Sequence, residues 1–250
     1  MADAITDEQL TRVLGRYAGM VDRVLTDPER WLGVDEDLPA SAGLPRRALD
    51  ALRDRAAGRT NPTSPDWPAQ PLDRRVDWWV TRIGLSAGLA AAAPRFAGVL
   101  ADRLPLQDAL GASAAGLAVA AVAREHGVTT PAEWVPLLAR VLLGRDLAAR
   151  DATLPAEQQS ERELAEAAED PSEPPSRMAG LGQRAQRTVR TLWRLARTFG
   201  ELQDLLDKRP RGGLLARGVA KIPVVGVAGG WLDERGGIRK AAKQTAKLLR

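Results

Sequence analysis

Apolar residues recur along the first part of this chain at helical spacing. Leu10, Val13, Leu14, Tyr17, Val21 and Val24 return every three or four positions, so Thr6 to Leu25 predicts a helix buried along one face. Thr6 suits its N-cap, and Gln9 three residues later completes a capping box. Asp27-Pro28 ends the pattern, and a loop carrying Trp31 is expected before a second helix from about Pro45 to Ala57. Residues 59–71, RTNPTSPDWPAQP, hold four Pro and read as an irregular connector.

Beyond Leu72 the pattern is apolar and rich in small residues. A helix through Trp78, Trp79 and Ile83 enters the run GLSAGLAAAA and is expected to be interrupted at Pro94. Pro105 opens a second apolar helix that ends near His126-Gly127, and Thr130-Pro131 starts a third, with Thr130 as N-cap. Gly84, Gly88, Gly111 and Gly116 let helices approach closely, in a soluble bundle as well as in a bilayer. The longest uncharged run, Ala109 to Ala123, has 15 residues, and Ile83 to Pro94 has 12. A membrane-spanning helix needs about 20 strongly apolar residues, so neither run predicts one.

Charge divides the chain. Residues 177–250 hold 17 Lys and Arg against 5 Asp and Glu, whereas residues 1–176 hold 19 against 27. All five Lys lie at or beyond Lys208. Residues 151–176 carry eight acidic side chains, one Arg and four Pro, the composition of a mobile acidic linker with room for a transient helix. Five segments result: an N-terminal helical segment 1–58, a Pro-rich connector 59–72, apolar central helices 73–150, the acidic linker 151–176 and a basic helical region 177–250. Residues 73–250 are expected to pack as one domain. The expected fold class is all-α, an irregular multi-helix bundle with short apolar helices and amphipathic basic helices at its C-terminal end.

Two basic helices carry the clearest functional signal. In the helix expected over about 181–208, Arg187, Arg190, Arg194 and Arg197 fall at spacings of 3, 4 and 3, on one face. Val189, Leu192, Ala196, Phe199 and Leu206 fall opposite, with Trp193 at the margin. In the last helix, expected from about Gly236, Arg239, Lys240, Lys243, Lys247 and Arg250 cover one side, and Ile238, Ala241, Leu248 and Leu249 the other. Such faces suit an anionic lipid surface or an acidic protein surface. Nucleic acid ranks lower, because no helix-turn-helix, zinc finger or stacking platform is recognisable. The acidic linker is itself a candidate intramolecular partner for the basic helices.

Conventional catalytic chemistry finds few residues here. The chain has no Cys and one histidine, His126, which sits at a helix end where a polar cap is favourable. Thiolate and transition-metal sites therefore lack ligands, and no nucleophile-elbow pattern is present. Gly226 to Gly230 lacks the Lys-Ser/Thr of a phosphate-binding loop, and Gly180-Leu181-Gly182 follows no strand. No catalytic residue, cofactor or metal site is expected, and only carboxylate chemistry stays open, with Asp102 and Asp108 the nearest candidates. The N-terminus, MADAITDEQL, is acidic and does not read as a signal peptide, so a cytoplasmic location is expected, peripheral on the inner membrane face.

Two segments resemble the EcsC-like family of bacterial proteins. The first is Phe96 to Asp108, FAGVLADRLPLQD, running into an Ala-rich helix and Arg124-Glu-His-Gly127; the second is Lys221-Ile-Pro223-Val-Val-Gly226, followed by Gly-rich sequence and a basic helix. Trp231 stands where the family commonly has Tyr or Asn. The resemblance covers roughly residues 75–250. It implies a mostly helical, membrane-associated accessory protein and transfers no active site. The expected function is a non-enzymatic helical protein associating with the cytoplasmic membrane face or an anionic partner. The competing expectation is a soluble interaction module autoinhibited by its acidic linker.

Overall fold

The computed structural model describes residues 6–32, 60–97, 104–148, 154–166, 188, 190–199 and 230–250. Helix accounts for 81% of this part and no strand is present among the described residues, so the chain is all-α. The helices are α1 (Asp7–Thr26), α2 (Pro28–Leu32), α3 (Leu72–Ala97), α4 (Leu104–Glu125), α5 (Pro131–Leu138), α6 (Glu157–Glu166), α7 (190–199) and α8 (Gly230–Leu248). The helix expected over 45–57 lies outside the described residues.

α1 begins as its local sequence dictates. The Thr6 hydroxyl accepts from the Gln9 amide, and the Gln9 side chain accepts from the Thr6 amide, so two otherwise orphaned donors are satisfied reciprocally. The apolar positions named from the sequence are all buried. Trp31, expected in a loop, instead lies in α2, a single short turn of helix beginning at Pro28. That turn is held by tertiary contacts: the carbonyl of Leu32 accepts from Thr188 Oγ1 at 2.9 Å and from Arg82 at 2.8 Å, and the carbonyl of Trp31 accepts from Thr191 Oγ1 at 2.9 Å.

α4 is the centre of the molecule. Every residue from Ser113 to Ala123 is buried, as a helix apolar on all sides requires. It packs against α3, α8, α5 and α1. Its small residues set how closely these neighbours approach. A Cβ added at Gly116 would stand 2.8 Å from the Tyr17 hydroxyl, so the ring of α1 occupies the space that a side chain on α4 would need. Buried residues from α1 through α8 form one continuous core, which includes Tyr17, Trp79, Leu117, Trp134, Leu164, Phe199 and Ile238. α1 thus contributes to the same core as the other described helices.

Two further expectations are corrected. Pro94 does not interrupt α3, which continues through it to Ala97, with the proline in the last turn. α5 starts at Pro131 with Thr130 as N-cap residue, as expected; the Thr130 side chain makes no capping bond, and after Leu138 the helix widens into a π turn over Ala139–Leu143 that closes at the left-handed Gly144. The second correction concerns the acidic segment. Residues 157–166 form α6, with Ser160 and Leu164 buried against α1. A Cβ at Gly19 would lie 2.7 Å from Ser160 Oγ, so the glycine lets α6 seat closely on α1. The connector over 60–71 is irregular as expected, with turns and one 3-10 turn at Trp67–Ala69.

Candidate anionic-surface site

The nine cationic residues singled out from the sequence do not share one environment. On α8 the expected cationic face holds, but Leu248, expected on the apolar side, is half exposed and turned away from the core. Ile238, Ala241, Ala242 and Thr245 are buried against α3 and α4, while Arg239, Lys240, Lys243, Lys247 and Arg250 are all exposed. At about 100° per residue, the five cations fall within an arc of roughly 100° on the side away from the core. None of them pairs with an acidic group among the described residues. Lys247 and Arg250 also stand at the C-terminal end of α8, where their charge complements the helix dipole.

The arginine row of α7 is different. Arg190 is exposed and Arg197 half-buried, with Trp193 between them, and Arg187 lies outside the described residues. Arg194 is buried, and its guanidinium donates to the carbonyl of Leu164. That carbonyl belongs to the last turn of α6, one of the acceptors a helix cannot satisfy internally. Arg194 therefore caps α6 with a charge of the favourable sign, and it is corrected from a surface contact to an internal one. α7 as a whole is largely enclosed: Thr191, Leu192, Leu195, Ala196, Thr198 and Phe199 are buried, and Phe199 meets Tyr17 edge-to-face with ring centroids 4.5 Å apart. Leu192, Ala196 and Phe199 are on the inner face as expected; Val189 and Leu206 lie outside the described residues.

Three acidic side chains of α6 pair with arginines of α1 and α2. Glu157 pairs with Arg23 at 3.2 Å, Glu161 with Arg30 at 2.6 Å and Glu163 with Arg16 at 3.5 Å. Hydrogen bonding to Asp22 raises the affinity of Arg23 for its proton further. The three arginines recur at every seventh position; Arg16 and Arg23 stand two turns apart on α1, along the side that α6 covers, and Arg30 follows on α2. This match was not read from the sequence. The sevenfold spacing of arginines was its signal, but the glutamates that meet it are more than a hundred residues away.

The second charged cluster is interior. The Glu125 carboxylate, with only 7% of its side chain exposed, accepts from Trp79 Nε1 at 2.8 Å and Trp67 Nε1 at 3.1 Å, and pairs with Arg75 at 2.8 Å. Trp67, Trp78 and Trp79 stack edge-to-face around it. Four donors and acceptors so arranged form a structural clamp between the connector, α3 and α4. His126 beside it is half-buried, and its backbone amide donates to Val122 and Ala123 in the closing turn of α4.

Among the described residues, no group of three His, Cys, Asp or Glu is placed to hold a metal ion, and no helix is long and apolar enough to cross a membrane. Asp102 and the glycine clusters at 180–182 and 226–229 lie outside the described residues, as does the 221–226 segment. Comparison with known protein families, curated proteins and solved structures returns no match.

Proposed function

We propose that this chain is a non-enzymatic helical protein that adsorbs to the anionic cytoplasmic face of a membrane through α8. One observation carries the reading: Arg239, Lys240, Lys243, Lys247 and Arg250 project from one side of α8 with no acidic partner among the described residues. A cationic row held rigidly against a packed core loses little conformational freedom of its backbone on meeting a charged surface. Each Lys or Arg near such a surface contributes about 1 kcal/mol, so the row suffices for reversible adsorption. The resemblance of 96–108 and 221–226 to the EcsC-like family accords with this reading.

The autoinhibited alternative has less support. α6 presents Glu157, Glu161 and Glu163 to Arg23, Arg30 and Arg16, and it packs on α1, whereas α8 packs on α3 and α4. The acids of α6 are thus engaged away from the α8 row.

Flotation with vesicles tests the proposal. The chain is expected to rise with vesicles containing anionic lipid at low salt and to stay behind with neutral ones. Absence from both sinks it.

A further inference from the structure

The chemistry of the α8 row narrows what it recognises, given the membrane reading above. We infer that α8 responds to the charge density of a lipid surface, without selecting a headgroup and without inserting into the acyl layer. An amphipathic helix that inserts must offer its apolar face to lipid. In α8 that face is already spent on the protein core, through Ile238, Ala241, Ala242 and Thr245, with Ala246 and Leu249 packed alongside. Leu248, 50% exposed, is the one large apolar side chain left outward on the helix among the described residues. It sits about 130° around the helix from the centre of the cationic arc, so it does not point at a surface that the cations face.

Headgroup selection needs convergent donors around a concavity. The row is instead linear and convex. Its cations run from Arg239 to Arg250, roughly 16 Å along the helix axis. No aromatic residue occurs from Gly236 to Arg250 to stack on a base or a sugar. Neighbouring cations on the row lie within about one Debye length, so they sense the same surface potential together while each meets a separate lipid. Binding through several independent single-charge contacts rises steeply with the fraction of anionic lipid and is indifferent to which anionic lipid supplies it.

The test is a partition series on vesicles in which the anionic fraction is raised with phosphatidylglycerol in one arm and phosphatidylserine in the other, in phosphatidylcholine. The two curves are expected to coincide and to climb more steeply than in direct proportion. Lys243→Gln should lower partition by about fivefold in both arms, the contribution of one cation, while Lys243→Arg restores it and Leu248→Ser leaves it unchanged. A preference above about fivefold for one headgroup at equal charge, or loss of binding in Leu248→Ser, overturns the inference while leaving adsorption intact. Absence of binding in both arms overturns it together with the proposed function. Inorganic phosphate, added as a competitor at matched ionic strength, should not displace the chain; displacement would reveal a discrete phosphate site and also overturn it.

Discussion

Trp79 donates its indole N–H to Glu125 across 2.8 Å, and this contact ties the N-terminal third of α3 to the last turn of α4. The same carboxylate oxygen accepts from Trp67, so the connector before α3 is anchored at the same point. Removal of the acceptor leaves two buried indole donors and the Arg75 charge without it. Glu125→Ala is therefore expected to cost about 3 kcal/mol. Glu125→Gln keeps an acceptor oxygen and should cost less. Urea denaturation of both variants checks the order.

Gly116 and Tyr17 form a second tight pair. Alanine in place of glycine ordinarily favours a helix by about 1 kcal/mol. Here the added Cβ would meet the Tyr17 hydroxyl at 2.8 Å and its ring carbons at 2.9 and 3.0 Å inside a packed core, so Gly116→Ala is expected to destabilise by about 2 kcal/mol in net terms. Tyr17→Phe removes the hydroxyl but leaves the ring carbons in place, so the double variant should recover part of the loss. A double-mutant cycle from thermal melts reads that coupling.

Tyr17 also gives the fold an alkaline limit. Its hydroxyl donates to the Ser113 carbonyl, and complete burial pushes its ionisation well above the ordinary tyrosine range. The unfolded chain releases this proton near pH 10 and the folded chain holds it. Above that pH the unfolded state therefore binds fewer protons, and stability falls by about 1.4 kcal/mol per pH unit, whereas below it the full contribution is present. Denaturation at pH values on both sides of that point should show the decline, and Tyr17→Phe should flatten it.

α6 separates packing from ion pairing. Arg30 and Glu161 are both about half exposed, so Glu161→Gln is expected to cost less than about 1 kcal/mol. Leu164 is fully buried, and Leu164→Ala should cost about 2–5 kcal/mol. Arg194→Gln, which removes the charged donor from the Leu164 carbonyl, should cost about 2 kcal/mol and leave vesicle binding at a permissive temperature unchanged. Denaturation and flotation on the same samples distinguish these effects.

The features legible in the sequence were those set by short-range chemistry. The Thr6–Gln9 box, Pro131 at a helix start, the glycine-closed end of α4 and the cationic face of α8 each follow from residues within one or two turns. Arg194 was not legible as an internal cap. Its spacing from Arg190 and Arg197 suits a common outer face, and the carbonyl that draws it inward belongs to a helix thirty residues earlier. The acidic segment was misread for a related reason. Its composition disfavours a core, yet Leu164 and Ser160 bury against α1, and Arg16, Arg23 and Arg30 meet its charges. α2 is too short to be stable by propensity, and it exists because Thr188, Thr191 and Arg82 hold its carbonyls.

The most direct measurement of the central claim is flotation of the native chain and a Lys240→Glu, Lys243→Glu, Lys247→Glu variant with anionic vesicles at low and high salt. All three positions are exposed, so the variant should melt at nearly the native temperature. The native chain is predicted to bind at low salt and to be released at high salt, as screening shortens the reach of its charges, while the variant stays unbound in both. A variant that folds and still binds as the native chain does would contradict the assignment of α8 as the membrane-docking surface.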